Sequence, residues 1–425
     1  MLVMSWAMRT QSYASWGTMI VLPAIIIINA VLIWIARKVE RDSFVTKVLI
    51  AGFIAKCIGI FFRYVSVFFI YNRAGDAVRY NDFAALYYQS WRDGVITWAQ
   101  YDGKAGTIAM ELITTGVYVF TGPSPLAGFY VFGSMAFWGV YLIFRAFRTA
   151  CPEGRYRRYA VLLFLLPSLL YWPSSIGKES WILLFVGVVA YGAARFFTGR
   201  LLGLVWIAVG AGGVTLIRPH IAVLLLAALA VAQLLRPTDR SPVSVVGKVV
   251  GVAIMAVALG YFIQSSADFL GVQEVTVDSV TEKVEWAGGQ TEQGGSVFEP
   301  VPLGSPLGIP AAFVTVLFRP FPWEASSPLV LLQSLEGLVL IVLLIKAWPQ
   351  LKTLPRLLRT NPYVTFALAY VVGFVIAFSG FGNFGILARQ RSLMLPFFVI
   401  LLALPVVTDA RRRSRAAPKQ ELVDA

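Results

Sequence analysis

Eleven stretches of this chain are long and apolar enough to cross a lipid bilayer, which removes almost every soluble fold from consideration. They fall at about 17–36, 47–71, 125–147, 159–175, 179–197, 201–217, 219–235, 243–264, 327–345, 362–380 and 392–408, each near the roughly 17–25 residues that a spanning helix needs. Inside hydrocarbon every backbone N–H and C=O has to be satisfied within the chain, so such runs fold as helices. The expected fold is therefore all-α, a polytopic transmembrane helical bundle of about 11 spans forming a single domain over residues 1–410, with a basic cytoplasmic tail at 411–425. Composition agrees: with 58% hydrophobic and 14% charged residues among 425, too few polar side chains exist to cover a water-soluble globule.

The net charge of +14 is a topology signal rather than a nucleic-acid footprint, because the basic residues cluster in short loops between apolar runs. If the segment after the first run is cytoplasmic, the inside loops are 37–47, 145–158, 195–200, 236–248 and 346–359 with the tail 411–419, and they hold 23 of the 36 Lys and Arg. That orientation puts the N-terminus outside the membrane and the C-terminus in the cytoplasm. The run 107–121, "TIAMELITTGVYVFTG", breaks the pattern: a full crossing there would put "RYRR" (155–158) outside. It reads as a re-entrant or interfacial helix, with a genuine span as the alternative. The first run lacks a small-residue cleavage site and reads as a retained helix. Two segments, 72–106 and 265–326, then lie on the outer face, while no inside loop is long enough to fold a nucleotide-binding domain. "PSSIGKES" (173–180) lacks the first glycine of a phosphate-binding loop. Cys57 and Cys151 sit where no disulfide is expected, and a single histidine excludes sites built from several imidazoles.

Outward-facing cations oppose the charge rule and need compensation. They are Lys178 in "SSIGKESW", Arg218 in "LIRPHIA", Arg319 in "LFRPFPWE", and Arg389 and Arg391 in "ILARQRSLMLP". One reading pairs them internally with Glu179, Glu324 and Asp76; the other gives them an anionic ligand, for which a lipid phosphate fits guanidinium forks. The Arg-Pro pairs at 218–219 and 319–320 mark either helix breaks lining a cavity or ordinary turns. His220 follows Arg218 directly, as a proton-transfer group or a packed core histidine.

The polar stretch "RAGDAVRYNDFAALYYQSWRDG" (73–94) reads as helical from about Ala77, with Tyr80, Phe83, Ala84, Tyr87, Tyr88 and Trp91 on one aromatic face suited to the membrane interface. Asp76 just before it is a helix cap or a functional carboxylate. Asp82 is exposed or paired with Arg79. The polar, Gly-rich stretch 272–308 reads as a mobile loop or lid. Glu336, inside the ninth run, is a proton relay or a carboxylate bonded to a neighbouring helix.

The order of "GDAVRYNDFA", then "LLPSLLYWPSSIGKESWILLFVGVVAYG", then an outer Arg-Pro and a late "RQRSLMLP" resembles bacterial polytopic enzymes of envelope polysaccharide assembly. Two groups share it: EpsG-like and Wzy-type exopolysaccharide polymerases, and GT-C glycosyltransferases that use polyprenyl-phosphate sugars. The resemblance implies a GT-C-like fold and sugar transfer from a polyprenyl-linked donor to a glycan, lipid or protein acceptor, within or beside an envelope-assembly complex. It implies Asp76 as catalytic base, although Asp76 follows the second apolar run where the GT-C pattern has an aspartate after the first. It also implies Arg218, Arg389 and Arg391, with Lys178 and Arg319, as holders of the lipid phosphate, and Arg79, Tyr80, Asp82, Tyr87 and His220 as substrate contacts. No cofactor is required, though Asp76 and Asp82 could hold a divalent cation. A lipid-linked glycan flippase or transporter is the alternative, and a non-catalytic assembly scaffold is a third.

Overall fold

The computed structural model describes residues 17–73, 75–96, 105–237, 248–249, 251–253, 256–257, 260, 296–299 and 307–405. The run at 243–264, the stretch 272–308 and the basic tail therefore fall wholly or mostly outside the described residues. Among those residues there is no strand, and one isolated antiparallel bridge joins Val297 to Asn383.

In chain order the helices are α1 (Leu22–Glu40), α2 (Ser43–Val65), α3 (Asp76–Arg92), α4 (Ala105–Thr121), α5 (Pro125–Ala150), α6 (Tyr156–Leu165), α7 (Pro167–Tyr171) and α8 (Lys178–Phe197). They continue as α9 (Gly203–Thr215), α10 (Pro219–Leu235), α11 (Gly308–Phe318), α12 (Pro328–Lys346), α13 (Trp348–Leu351), α14 (Leu354–Thr360), α15 (Pro362–Phe378), α16 (Phe384–Arg391) and α17 (Leu395–Leu401). Among the described residues five helices are long and apolar enough to cross a membrane, or up to seven if each of two bent helix pairs is one span. The chain is thus an all-helical membrane protein.

Among the described residues fewer full-length helices form than the apolar runs lead one to expect, and proline accounts for part of the difference. The run 159–175 is broken at Pro167, which lacks an N–H and cannot continue α6. The run 201–217 folds only over the 13 residues of α9. The last run is reached through α16 and α17, bent by 67° around the Arg391–Leu395 break, and α14 meets α15 at 114°. A broken helix leaves carbonyls that only the protein interior can satisfy. Lys56, buried on α2, donates to the Leu169 and Pro173 carbonyls at 2.9 and 2.8 Å. The other half of the break is met by Glu336, which accepts from the Ser168 N–H at 2.7 Å; this carboxylate is bonded to a neighbouring helix.

Close approach of α8 to its neighbours depends on glycine. A Cβ on Gly187 would stand 2.2 Å from the Gly139 carbonyl oxygen of α5, and one on Gly203 would stand 2.5 Å from the Gly192 carbonyl oxygen. Small residues at such crossings let backbones touch where lipid supplies no hydrophobic drive.

One end of the bundle is basic and tied by two carboxylates. Buried Glu40 accepts from the Tyr141 hydroxyl at 2.9 Å and Arg145 at 3.0 Å, and also binds Arg148. Asp42 caps α2 through the N–H groups of Phe44 and Val45, and its second oxygen accepts from the Tyr156 hydroxyl at 2.8 Å and Arg157 at 3.0 Å. Burial pushes the Asp42 carboxyl up, but these hydrogen bonds outweigh it and hold it at about 2. A folded value below the unfolded one of about 3.9 means the stabilisation is full above that pH and is lost as pH falls through about 2. Thermal unfolding in detergent between about pH 5 and 2 is expected to show a flatter acid slope in Asp42→Asn than in the wild type; equal slopes would contradict this.

From that basic end α2 climbs to Arg63, and α8 descends from Glu179 to Arg195, so the opposite end of the bundle holds the remaining polar groups. Both ends of α4 lie there: Thr107 meets Lys178, a Cβ on Gly106 would touch the Ile217 carbonyl, and Tyr118 bonds Asn81. Helix α3 packs along α4, with Ala77, Tyr80, Ala84 and Tyr88 buried. The aromatic face expected to lie wholly in the membrane interface is therefore partly internal, since Tyr80 is 0% exposed.

Candidate functional site

The turn from α2 into α3 fixes where Asp76 points. A π-type turn over Ser66–Ile70 ends α2, after which Asn72 and Arg73 adopt positive φ and Gly75 takes φ +134°. That last conformation favours glycine. Gly75 occupies the cap position and Asp76 opens the first turn, so the capping role open to Asp76 in the sequence is not the one it takes. Its carboxylate instead reaches across 313 residues to Arg389 on α16, with Nη2 at 3.1 Å.

Asp76 and Arg389 line a cavity of about 580 Å³ together with Arg63, Tyr71, Trp172, Ser175, Gly177, Glu179 and Asn383. That volume lies in the range of small-ligand sites, roughly 300–1,000 Å³. Each wall comes from a break between helices: the α2–α3 turn, the residues between α7 and α8, and the start of α16. Asn383 starts α16 by accepting from the N–H groups of Gly385 and Ile386, which directs the Arg389 face of that helix toward the cavity.

Glu179 is the hub of the charges. Its side chain is 4% exposed, and Oε1 lies 2.7 Å from Arg389 Nε and 2.9 Å from Arg218 Nη2. Arg218, the cap residue of α10, also donates to the Gln390 side-chain oxygen. Two cations thus flank one buried carboxylate, and Arg389 extends the chain to Asp76 in the cavity wall. The partner role that the sequence offered to Glu179 and Asp76 is realised for Arg218 and Arg389. Lys178, half-buried, donates to the Thr107 hydroxyl at 3.1 Å beside this network.

Other expected site residues lie apart from the cavity. Arg319 pairs with Glu324 at 2.5 Å and rests over the Phe298 ring, 4.4 Å from its centroid. Arg391 is 0% exposed and donates to the Leu317 and Arg319 carbonyls, so it braces the end of α11. Arg79 pairs with buried Glu111 at 2.7 Å, and Asp82 with Arg73, not Arg79, at 2.9 Å on the surface. Tyr87 packs on Phe83, and His220 lies under Arg218 near the Phe378 ring. Asp76 and Asp82 engage different arginines, and no group of three or more His, Cys, Asp or Glu among the described residues is arranged for a metal.

Arg63, Tyr71 and Trp172 line the cavity, and the sequence did not single them out as site residues. Arg63 carried a signal, a charge within an apolar run; the others are ordinary among 17 tyrosines and 12 tryptophans.

Fold and site together define an all-helical membrane protein with a charge-lined cavity at the end of the bundle away from its basic loops. No family model, no curated protein and no solved structure matches the chain.

Proposed function

We propose that this protein is a membrane glycosyltransferase or polymerase of envelope polysaccharide assembly. It transfers sugar from a polyprenyl-(di)phosphate-linked donor to a hydroxyl of a glycan, lipid or protein acceptor. The site of transfer is the outer face of a bacterial cytoplasmic membrane, since the cavity lies away from the basic loops, which the positive-inside rule keeps in the cytoplasm. The GT-C-like and Wzy-type resemblance of the motifs supports the same class.

The observation that carries the reading is the half-exposed Asp76 carboxylate held on Arg389 in the cavity wall. In the transfer, Asp76 takes the proton of the acceptor hydroxyl while its oxygen attacks the anomeric carbon. The bond from that carbon to the phosphate oxygen breaks, and the lipid phosphate leaves with the electron pair. Guanidinium groups of the cavity wall offset the charge that develops on the leaving group. Tyr71 and Trp172 offer ring faces against which a sugar can lie.

The test is purified protein in liposomes, given labelled polyprenyl-linked sugar and candidate acceptors. Labelled product on the acceptor supports the proposal. Movement of the lipid-linked sugar across the bilayer with no transfer would make the protein a flippase instead.

A further inference from the structure

We infer that Arg63, near the end of α2, is the anion anchor of the cavity, and that Arg389 is a positioning residue for its carboxylates. The inference rests on the glycosyl-transfer reading only for the identity of what carries the phosphate. Both arginines line the same cavity, but their surroundings differ. Arg389 already touches two carboxylates, at 3.1 Å and 2.7 Å, so its charge is compensated before any ligand arrives. Arg63 makes no carboxylate contact among the described residues, where its side chain has a 3.3 Å hydrogen bond to the Tyr171 hydroxyl. Its guanidinium carbon stands 5.0 Å from the Tyr171 ring centroid and 5.0 Å from that of Trp172, and its buried Nε, like that of Arg389, makes no hydrogen bond.

Two aromatic rings hold the guanidinium in place by cation–π attraction without neutralising it. A full charge at the end of an apolar helix is costly unless it is paired. The ligand that satisfies it is an anion with several oxygens, because the planar fork of N–H donors matches phosphate bidentately. Trp172 and Tyr71, which also line the cavity, favour a phosphate attached to an apolar or ring-bearing group over a bare ion.

Binding to the full-length protein in detergent, followed by titration calorimetry, tests this with farnesyl phosphate and inorganic phosphate as probes. The wild type is expected to bind farnesyl phosphate, Arg63→Gln to weaken it by about tenfold or more, and Arg63→Lys to recover part of the loss. Competition by inorganic phosphate at equal concentration assigns a free-phosphate site; failure to compete assigns a lipid-phosphate site. Equal affinity in wild type and Arg63→Gln, or no binding of either probe, would overturn the anchor role.

Arginine modification by phenylglyoxal, mapped by mass spectrometry on the wild type, gives a second reading that needs no variant. Farnesyl phosphate is expected to protect Arg63, and protection of Arg389 alone would overturn the division of roles. Arg63-dependent binding without sugar transfer would remove the proposed function and leave the anchor standing. Transfer with Arg63-independent binding would do the reverse.

Discussion

Asp76→Asn is expected, on the glycosyl-transfer proposal, to lower sugar transfer by about 10²–10⁴-fold while the protein stays folded, the range a positioned general base contributes. The substitution keeps shape and hydrogen bonding but removes the group that accepts the acceptor's proton. Stability changes little, because the Asp76 side chain is half exposed, at 52%, and Arg389 keeps its contact with Glu179; exposed pairs contribute roughly 0–1 kcal/mol. Asp82→Asn is the control: that carboxylate, six residues on, holds Arg73 at the surface, and transfer is expected to stay at the wild-type rate. Initial rates with labelled donor, beside thermal unfolding of each variant, measure both. An Asp76→Asn protein that transfers at the wild-type rate would remove the base from the mechanism.

Glu179→Gln has the largest expected effect on stability. Its carboxylate is 4% exposed and lies within 2.9 Å of two guanidinium groups that are themselves 13% and 25% exposed. The neutral amide leaves two cations facing each other with no negative charge between them, and breaking a buried pair costs about 3–5 kcal/mol. Arg389 also loses the contact that aims it at Asp76, so transfer falls with stability. Glu111→Gln makes the comparison sharp, since its partner Arg79 is 54% exposed and can turn to water. Thermal unfolding in detergent is expected to show a clearly larger drop for Glu179→Gln than for Glu111→Gln, and equal drops would mean that Glu179 is not the hub.

Much of the helical frame was legible in hydropathy, because lipid leaves the backbone few choices. The limits of each helix were less so: Pro167 ends α6 inside an unbroken apolar run, and length alone does not reveal it. The charged site was half legible. Arg218 and Arg389 stood out as cations at outward helix ends. Their hub, Glu179, was legible as a partner carboxylate, but not as the group that joins Arg218 and Arg389 to each other. Arg391 illustrates why the rest was hidden. It sits two residues after Arg389 in one motif, yet at about 100° per residue the two side chains leave α16 on opposite sides. One enters the cavity wall and the other is fully buried against α11. Asp76 shows the same limit, since both of its readings, cap or carboxylate, depended on the φ of the glycine before it.

The central claim is that the cavity beside Asp76 opens to the outer face and takes a lipid-linked sugar. Tyr71 lines that cavity and is 44% exposed, so Tyr71→Cys in a Cys57→Ser, Cys151→Ser background reports on it directly. In right-side-out vesicles a membrane-impermeant maleimide is expected to label this cysteine from outside, and added polyprenyl-linked sugar is expected to slow the labelling. Labelling only after the vesicles are permeabilised, or labelling that the donor leaves unchanged, would contradict the account.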